Sequence, residues 1–439
     1  MTESGYRKRL AEDLPRWREA GWVTPEGATA ILGSIEGKRA TFGLAAIVGV
    51  LGALLLGAGV IAFIGSNWEY MPRIFRFGLL VAAMGVAYGA AAMLAAREFR
   101  VFADAALLVA GLVFAAAIAL AGQTYHLGGD FSGAILFWEF GIVGAALMTG
   151  SATLVVLSLA GAGYWTWMNV VDFGIVPHWE SLALILIGGG LAVWTGVYYA
   201  RLVAVLALGF WIAVNLVGLA ELLDWSAFEM LSVATTIALL FWAIGSVLVT
   251  LDTKRDIAEL GHIMLWPGIA GVLFAAGVLQ TAPEWGYGYD GAVDEWFVIG
   301  AIAMLGVTVL VALALTRKGL TIVDAVGAVV IGVAALAYAY LSPQGDMEAR
   351  LAGGVIVLVA ALWAVNLGQT GVHRVGKKTG LAAFGIEIIY LYVVTLGTLL
   401  DTALAFLAGG VLFIGLAYGL VRIDRRLAAA RTTAVGGAA

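Results

Sequence analysis

The stretch Arg97–Asp130, REFRVFADAALLVAGLVFAAAIALAGQTYHLGGD, decides the fold. Charged residues open it, about 20 mostly apolar residues follow, and Gln, Tyr, His and Asp close it. A helix needs about that length to cross the hydrocarbon core, where every backbone N–H and C=O must be satisfied within the segment. Residues 101–122 therefore read as a membrane span, and the rest of the chain has the same character. Of 439 residues, 62% are hydrophobic and 12% charged, and the mean hydropathy is +0.99. Soluble domains are about half apolar and a quarter charged, so a soluble globular protein is excluded. So are disordered and collagen-like chains. The net charge of −5 without a basic block excludes nucleic-acid binding. The lack of cysteine removes disulfides, thiolate metal sites, iron–sulfur clusters and cysteine nucleophiles.

Working outward, apolar runs separated by charges, Pro or polar clusters predict about fourteen spans. Their limits are 42–64, 74–96, 101–122, 131–148, 150–169, 181–199, 202–220, 228–250, 259–280, 297–315, 321–341, 351–368, 380–400 and 402–421. The expected fold is all-α, a polytopic helical membrane bundle. The 59 glycines fall largely inside the runs, as at Gly57, Gly59 and Gly188–Gly190, and predict close helix packing.

With the N-terminus inside, 21 Lys and Arg fall on cytoplasmic segments, Arg201 among them. Only Arg73, Arg76 and Arg350 fall outside, which completes the 24. By the positive-inside rule both termini are cytoplasmic and the span count is even. The first apolar run follows some 40 mostly polar residues, so an uncleaved signal anchor is expected rather than a cleavable signal peptide. Arg outnumbers Lys and Ala is abundant, which suggests a GC-rich bacterial genome and a multi-pass protein of the plasma (inner) membrane.

Three regions are expected: a cytoplasmic amphipathic hairpin over 1–40, the bundle over 41–421 and a basic tail over 422–439. In the hairpin, Leu10, Leu14 and Trp17 share a face, Gly21 breaks the first helix, and Thr24 caps a second that opens on Pro25. It packs on the bundle or headgroups, or docks a partner. The tail anchors on anionic lipid. No loop is long enough for an extramembrane catalytic domain. The longest, 281–296, mixes aromatics with carboxylates. That suits a sugar or cation site, or simply the interfacial aromatic belt.

A faint repeat pairs Gly57–Val60 with Ala275–Val278 and Phe102–Ala105 with Ile322–Ala325. The offsets nearly agree and span eight helices, so the copies would be parallel, with halves over 41–200 and 258–421 and two linking helices. Parallel halves suit transporters. Fourteen-span major-facilitator exporters share that layout, but the Gly-Asp-Arg loop of that family is missing, and short matches arise by chance in so Ala- and Gly-rich a chain.

Ionisable residues within spans cost about 2.5–3.5 kcal/mol on insertion scales and are functional candidates by default. Glu139, beside Trp138, and Glu387, one turn before Tyr390, lie near mid-bilayer and suit a proton carrier. Asp104 and Asp324 lie near inner span ends, and Asn215 and Asn366 within helices. For each, a hydrogen bond that fixes helix packing is the plain alternative. A second cluster is predicted at the outer face: Asn67, Trp68, Glu69, Gln123, Tyr125, His126 and Asp130, with His178 and Glu180 nearby. Carboxylate plus imidazole can bind a cation or do acid–base work. Metal spacing such as HExxH is missing, so no metal is expected. His262 and His373 look incidental. No nucleophile elbow, Walker loop or dinucleotide fingerprint occurs in a strand–helix context, so no cofactor and no catalytic residue is assigned.

At several of these motifs the chain resembles a family of bacterial membrane proteins called domain of unknown function 2157. The likeness rests on Leu14, Trp17, Gly21-Trp-Val, Asn67-Trp68, Pro72, Gly122-Gln-Thr-Tyr-His126, Gly129-Asp130 and Trp138, over roughly residues 8–150. Ser66 stands where that family often has Ala. The family brings no established activity, so the resemblance implies a membrane protein and no chemistry. The expected function is a transporter or lipid-handling permease, with membrane lipids, a small solute or lipid substrate and protons as partners. An outer-face membrane enzyme and a non-catalytic scaffold or sensor subunit are the alternatives.

Overall fold

A computed structural model describes residues 13–28, 51–52, 55, 59, 72–125, 131–251, 255–281, 295–341, 346–368 and 374–396. Among these residues there is no strand. The long helices are α1 (Arg73–Ala96), α2 (Arg100–Tyr125), α3 (Phe131–Thr149), α4 (Ala152–Trp167), α5 (Trp179–Thr195) and α6 (Tyr198–Leu222). They continue as α7 (Ala227–Thr250), α8 (Arg255–Leu279), α9 (Glu295–Thr316), α10 (Ile322–Leu341), α11 (Asp346–Leu367) and α12 (Arg374–Leu396). A π-helical turn, Met168–Asp172, extends α4.

These helices follow the second to the thirteenth predicted spans. Both limits of the break between α5 and α6 lie earlier than predicted. The sequence reading put the break near residue 200, but Gly196 at φ +70° caps α5 in the left-handed conformation and Tyr198 already begins α6. A glycine there carries no Cβ penalty, which is why helices so often end on one. Ten helices, α1 to α4 and α6 to α11, contain stretches long and apolar enough to cross a membrane. Helix α5 is apolar but has 17 residues, and α12 opens on Arg374, Lys377 and Lys378. The first and fourteenth predicted spans, the tail and the loop over 282–294 lie outside the described residues.

The chain divides into two compact units, residues 1–71 with 84–110 and residues 72–83 with 111–439. In the first, residues 13–28 of the expected hairpin are described, and the rest of it lies outside the described residues. A helix over 13–19 ends at Gly21, φ +74°, and Gly27 N–H donates to Thr24 Oγ1 at 3.1 Å to cap the next.

In the second unit, α7 packs against α6, α8, α9 and α10, and α11 packs against α8, α10 and α12. A capping box starts α7: Glu229 N–H donates to Ser226 Oγ at 3.4 Å, and Ser226 N–H donates to Glu229 Oε2 at 2.6 Å. Trp242, Val272, Val307, Ile331 and Ala360 belong to one continuous apolar core across α7 to α11. Glycines make the contacts close. A Cβ on Gly261 of α8 would lie 2.8 Å from Gly245 O of α7, and one on Gly268 would lie 2.7 Å from Trp242 Cβ. Pro267 sits beside that second contact, inside α8; it lacks the N–H that would bond to the Ile263 carbonyl. A Cβ on Gly380 of α12 would meet Ala361 O of α11 at 2.6 Å. Large apolar side chains such as Phe137, Phe140, Ile302 and Leu305 point outwards, as lipid contact requires.

Candidate functional site

On α3 the buried residues are Ser132, Ile135, Glu139, Ile142 and Ala146. Spacings of three and four place them on one stripe, so a carboxyl stands in an otherwise mainly apolar seam. Glu139 is 0% exposed. Ser158 Oγ of α4 donates to its Oε2 at 2.7 Å, and Oε1 has no hydrogen-bond partner. That free oxygen faces Gly161 of α4, where an added Cβ would fall 1.9 Å from it. Trp138 also packs on Gly161 and donates its Nε1–H to Gly111 O of α2 at 2.9 Å. The carboxyl thus occupies a slot cut by a glycine.

Seven residues earlier, about 10 Å along the helix, the same stripe begins a polar network. Ser132 Oγ donates to Asn169 Oδ1 at 3.0 Å and accepts from Trp165 Nε1 at 2.8 Å, while Asn169 Nδ2 donates to Trp165 O at 2.8 Å. The Trp165 ring meets the His178 ring edge-on at 4.5 Å. His178 N–H donates to Asn215 Oδ1 at 2.8 Å, and Trp211 Nε1 donates to His178 O at 3.0 Å. Ser181 Oγ donates to His178 O at 3.0 Å and lies 2.9 Å from His178 Nδ1. This pattern assigns the proton to Nδ1. Nε2 then faces Glu180 Oε2 at 3.6 Å. Burial lowers the His178 pKa from its ordinary value, and Glu180 partly opposes that shift. The network ties α3 to α6 with the π-helical turn at its centre. Asn215, expected as a packing amide or a functional one, donates its own Nδ2–H to Trp211 O at 2.9 Å.

Glu387 of α12 is 2% exposed. Gln280, just beyond α8, donates Nε2–H to its Oε2 at 2.9 Å. Glu387 Oε1 and Gln280 Oε1 have no hydrogen-bond partner. Both face Gly354 of α11, whose added Cβ would lie 2.9 Å from the first and 3.4 Å from the second.

The aspartates differ. Asp324, 1% exposed, is a helix cap: Thr321 N–H and Oγ1 donate to its Oδ2 at 2.9 and 2.8 Å, and Asn366 Nδ2 donates to Oδ1 at 2.7 Å. Trp363 Nε1 donates to Asp324 O at 2.9 Å. Asp104 is half-buried on α2. It is the fifth residue of its helix whereas Asp324 is the third, so the matched strings do not hold the same helical position.

Of the expected outer cluster, Asn67, Trp68, Glu69, His126 and Asp130 lie outside the described residues, as does His373. Gln123 and Tyr125 are placed only by their backbone, on the last turn of α2. His262 is exposed on α8. Among the described residues no group of three or more His, Asp or Glu could hold a metal. One basic residue is not where the sequence reading put it. Arg201, counted as a loop charge, is the fourth residue of α6, 1% exposed and ion-paired with Glu259 of α8.

Sequence reasoning missed Ser158, Ser132, Asn169 and Gln280, since hydroxyls and amides are common in spans and carry no cost signal as large as a charge. The stripe spacing from Glu139 back to Ser132 could have found one of them.

A family model described as "Predicted membrane protein (DUF2157)" matches residues 15–155. That is the N-terminal third; it includes Ser132 and Glu139 and stops before Ser158 and Glu387. No curated protein and no solved structure matches the chain. Family match and apolar helices agree: this is a multi-pass helical membrane protein.

Proposed function

We propose that the protein is a transporter or lipid-handling permease in which buried carboxyls take up and release a proton. The observation that carries this reading is Glu139: fully enclosed, held by one neutral donor, with its second oxygen unpartnered. Leaving a buried acceptor unsatisfied costs about 1–3 kcal/mol. Hydrocarbon side chains would avoid that cost, so the carboxyl serves something besides packing. A proton on Oε1 or an entering water supplies the missing partner. Glu139 is enclosed, so transport requires α3 and α4 to part or water to enter between Glu139 and the Ser132–Asn169 pair.

The proposal includes fourteen spans with both termini in the cytoplasm of a bacterium, the 21-to-3 partition of basic residues being its support. With Arg201 in a buried ion pair, the remaining charges still favour this orientation.

The test uses the purified protein in liposomes with an internal pH-sensitive dye. A pH gradient imposed across the membrane should dissipate faster than in protein-free vesicles, and Glu139→Gln should abolish the difference. Wild-type vesicles as tight as protein-free ones with and without fluorescent lipid or solute cargo would overturn the transport reading and favour a scaffold.

A further inference from the structure

We propose that Glu387 and Gln280 form a single-proton site, a carboxylic acid–carboxamide pair that clasps the end of α8 to α12. The inference deepens the proton-handling reading above and rests on it.

Half of the pair is already made. Gln280 Nε2–H donates to Glu387 Oε2 at 2.9 Å. The other half consists of two oxygens, Glu387 Oε1 and Gln280 Oε1, each without a hydrogen-bond partner. They converge on one point, 2.9 and 3.4 Å from where a Gly354 Cβ would stand. Both residues are buried, at 2% and 4% exposure. Two unpartnered acceptors gathered near one point in a buried site repel. One proton on Glu387 Oε1 turns that repulsion into an O–H···O bond to the amide carbonyl and closes a ring with two hydrogen bonds. Proton uptake forms one O–H bond on Oε1 and releases a water from hydronium; loss returns the proton to water and leaves the carboxylate.

A metal cation fits less well. A small monovalent or divalent ion seeks six or so oxygens, whereas two unpartnered ones converge here. Neighbouring helices bring little charge. On α11, Gly353 and Gly354 admit the pair: a Gly353 Cβ would sit 2.5 Å from Gln280 Cβ. Arg350, half-buried, lies one turn before Gly354, and Glu348 is exposed. Tyr338 of α10 donates its hydroxyl to Ala349 O at 2.8 Å and interacts electrostatically with Tyr390 of α12. Lys377 and Lys378 lie about 15 Å back along α12, and the charges of α8 lie at its opposite end.

Ionisation therefore weakens one link between α8 and α12, and protonation restores it. This makes the pair a candidate latch between the helices that flank α11.

The experiment is infrared difference spectroscopy of the full-length protein in nanodiscs at neutral pH, in H₂O and D₂O. The expected result is a protonated-carboxyl C=O band that shifts in D₂O and is lost in Glu387→Gln. In Gln280→Ala the band should move up, towards that of an acid without an amide partner. A band unchanged by Glu387→Gln, no such band at all, or a band that ignores Gln280→Ala would overturn the pair. Should Glu387→Gln fail to fold, the response to Gln280→Ala decides alone. The readout is protonation, not flux. An acid band with vesicles that show no transport would sink the transport reading and leave the pair standing, and flux without the band would do the reverse.

Discussion

Gly161 leaves the space that the Glu139 carboxyl fills. A methyl group there would sit 1.9 Å from Oε1 and 2.4 Å from the Trp138 ring. Glycine-to-alanine usually stabilises an exposed helix by about 1 kcal/mol. Here Gly161→Ala should lower stability by about 1–3 kcal/mol, the cost of overpacking, read as a drop in thermal midpoint in detergent. An unchanged or raised midpoint would show that the slot is roomier than described. Ser158→Ala removes the one hydrogen bond to Glu139 and should cost less, about 1 kcal/mol. The carboxylates were legible in the sequence because a charge in an apolar run is costly. Their partners were not, since a serine or a glutamine in a span is cheap and ordinary. Asp324 shows the limit of that cost argument: Thr321-x-x-Asp324 is a cap, and three-residue spacing at a helix start would have identified it.

Elements meet at glycines and at polar ends. Along α7 and α8 the backbones approach so closely that a Gly261 Cβ would strike Gly245 O and Val249 N, both at 2.8 Å. Gly261→Leu should therefore force the pair apart and prevent stable purification, whereas Gly277→Ala, with open space around it, should be tolerated. At the ends of α3 to α6 the His178 network makes a pH prediction. The folded pKa of His178 lies below its ordinary value of about 6.5, so the unfolded chain binds the proton more readily. That stability is fully present above pH ~6.5 and falls as pH drops below it towards the folded pKa. The thermal midpoint should decline over that range in the wild type, and His178→Gln should flatten the decline. An equal decline in both would remove His178 as its origin. Helix limits were largely legible from hydropathy alone. The α5–α6 break lies earlier than hydropathy places it because Gly196, inside the apolar run, is a left-handed cap.

Across the molecule, hydropathy predicted a helical protein, and among the described residues ten helices are long and apolar enough to cross a membrane. The fourteen-span topology is open to direct test in this cysteine-free chain. Gly376 sits in the first turn of α12 but is a poor probe, since its Cβ would meet Ala364 O at 2.8 Å. Arg317, exposed between α9 and α10, is better. An impermeant thiol reagent added outside intact cells should label Gly286→Cys and spare Arg317→Cys; the reverse pattern would invert the orientation. The expected outer cluster lies mostly outside the described residues, and loop positions carry no sequence period from which their convergence could be read. The central claim, that Glu139 carries a proton rather than merely packing α3 on α4, is tested most directly by comparing two substitutions in one liposome assay. Glu139→Gln keeps the shape and a hydrogen-bonding head but cannot titrate; Glu139→Leu strands Ser158. The account predicts that Glu139→Gln keeps the wild-type thermal midpoint and loses proton flux, while Glu139→Leu loses both. Wild-type flux in Glu139→Gln would contradict it.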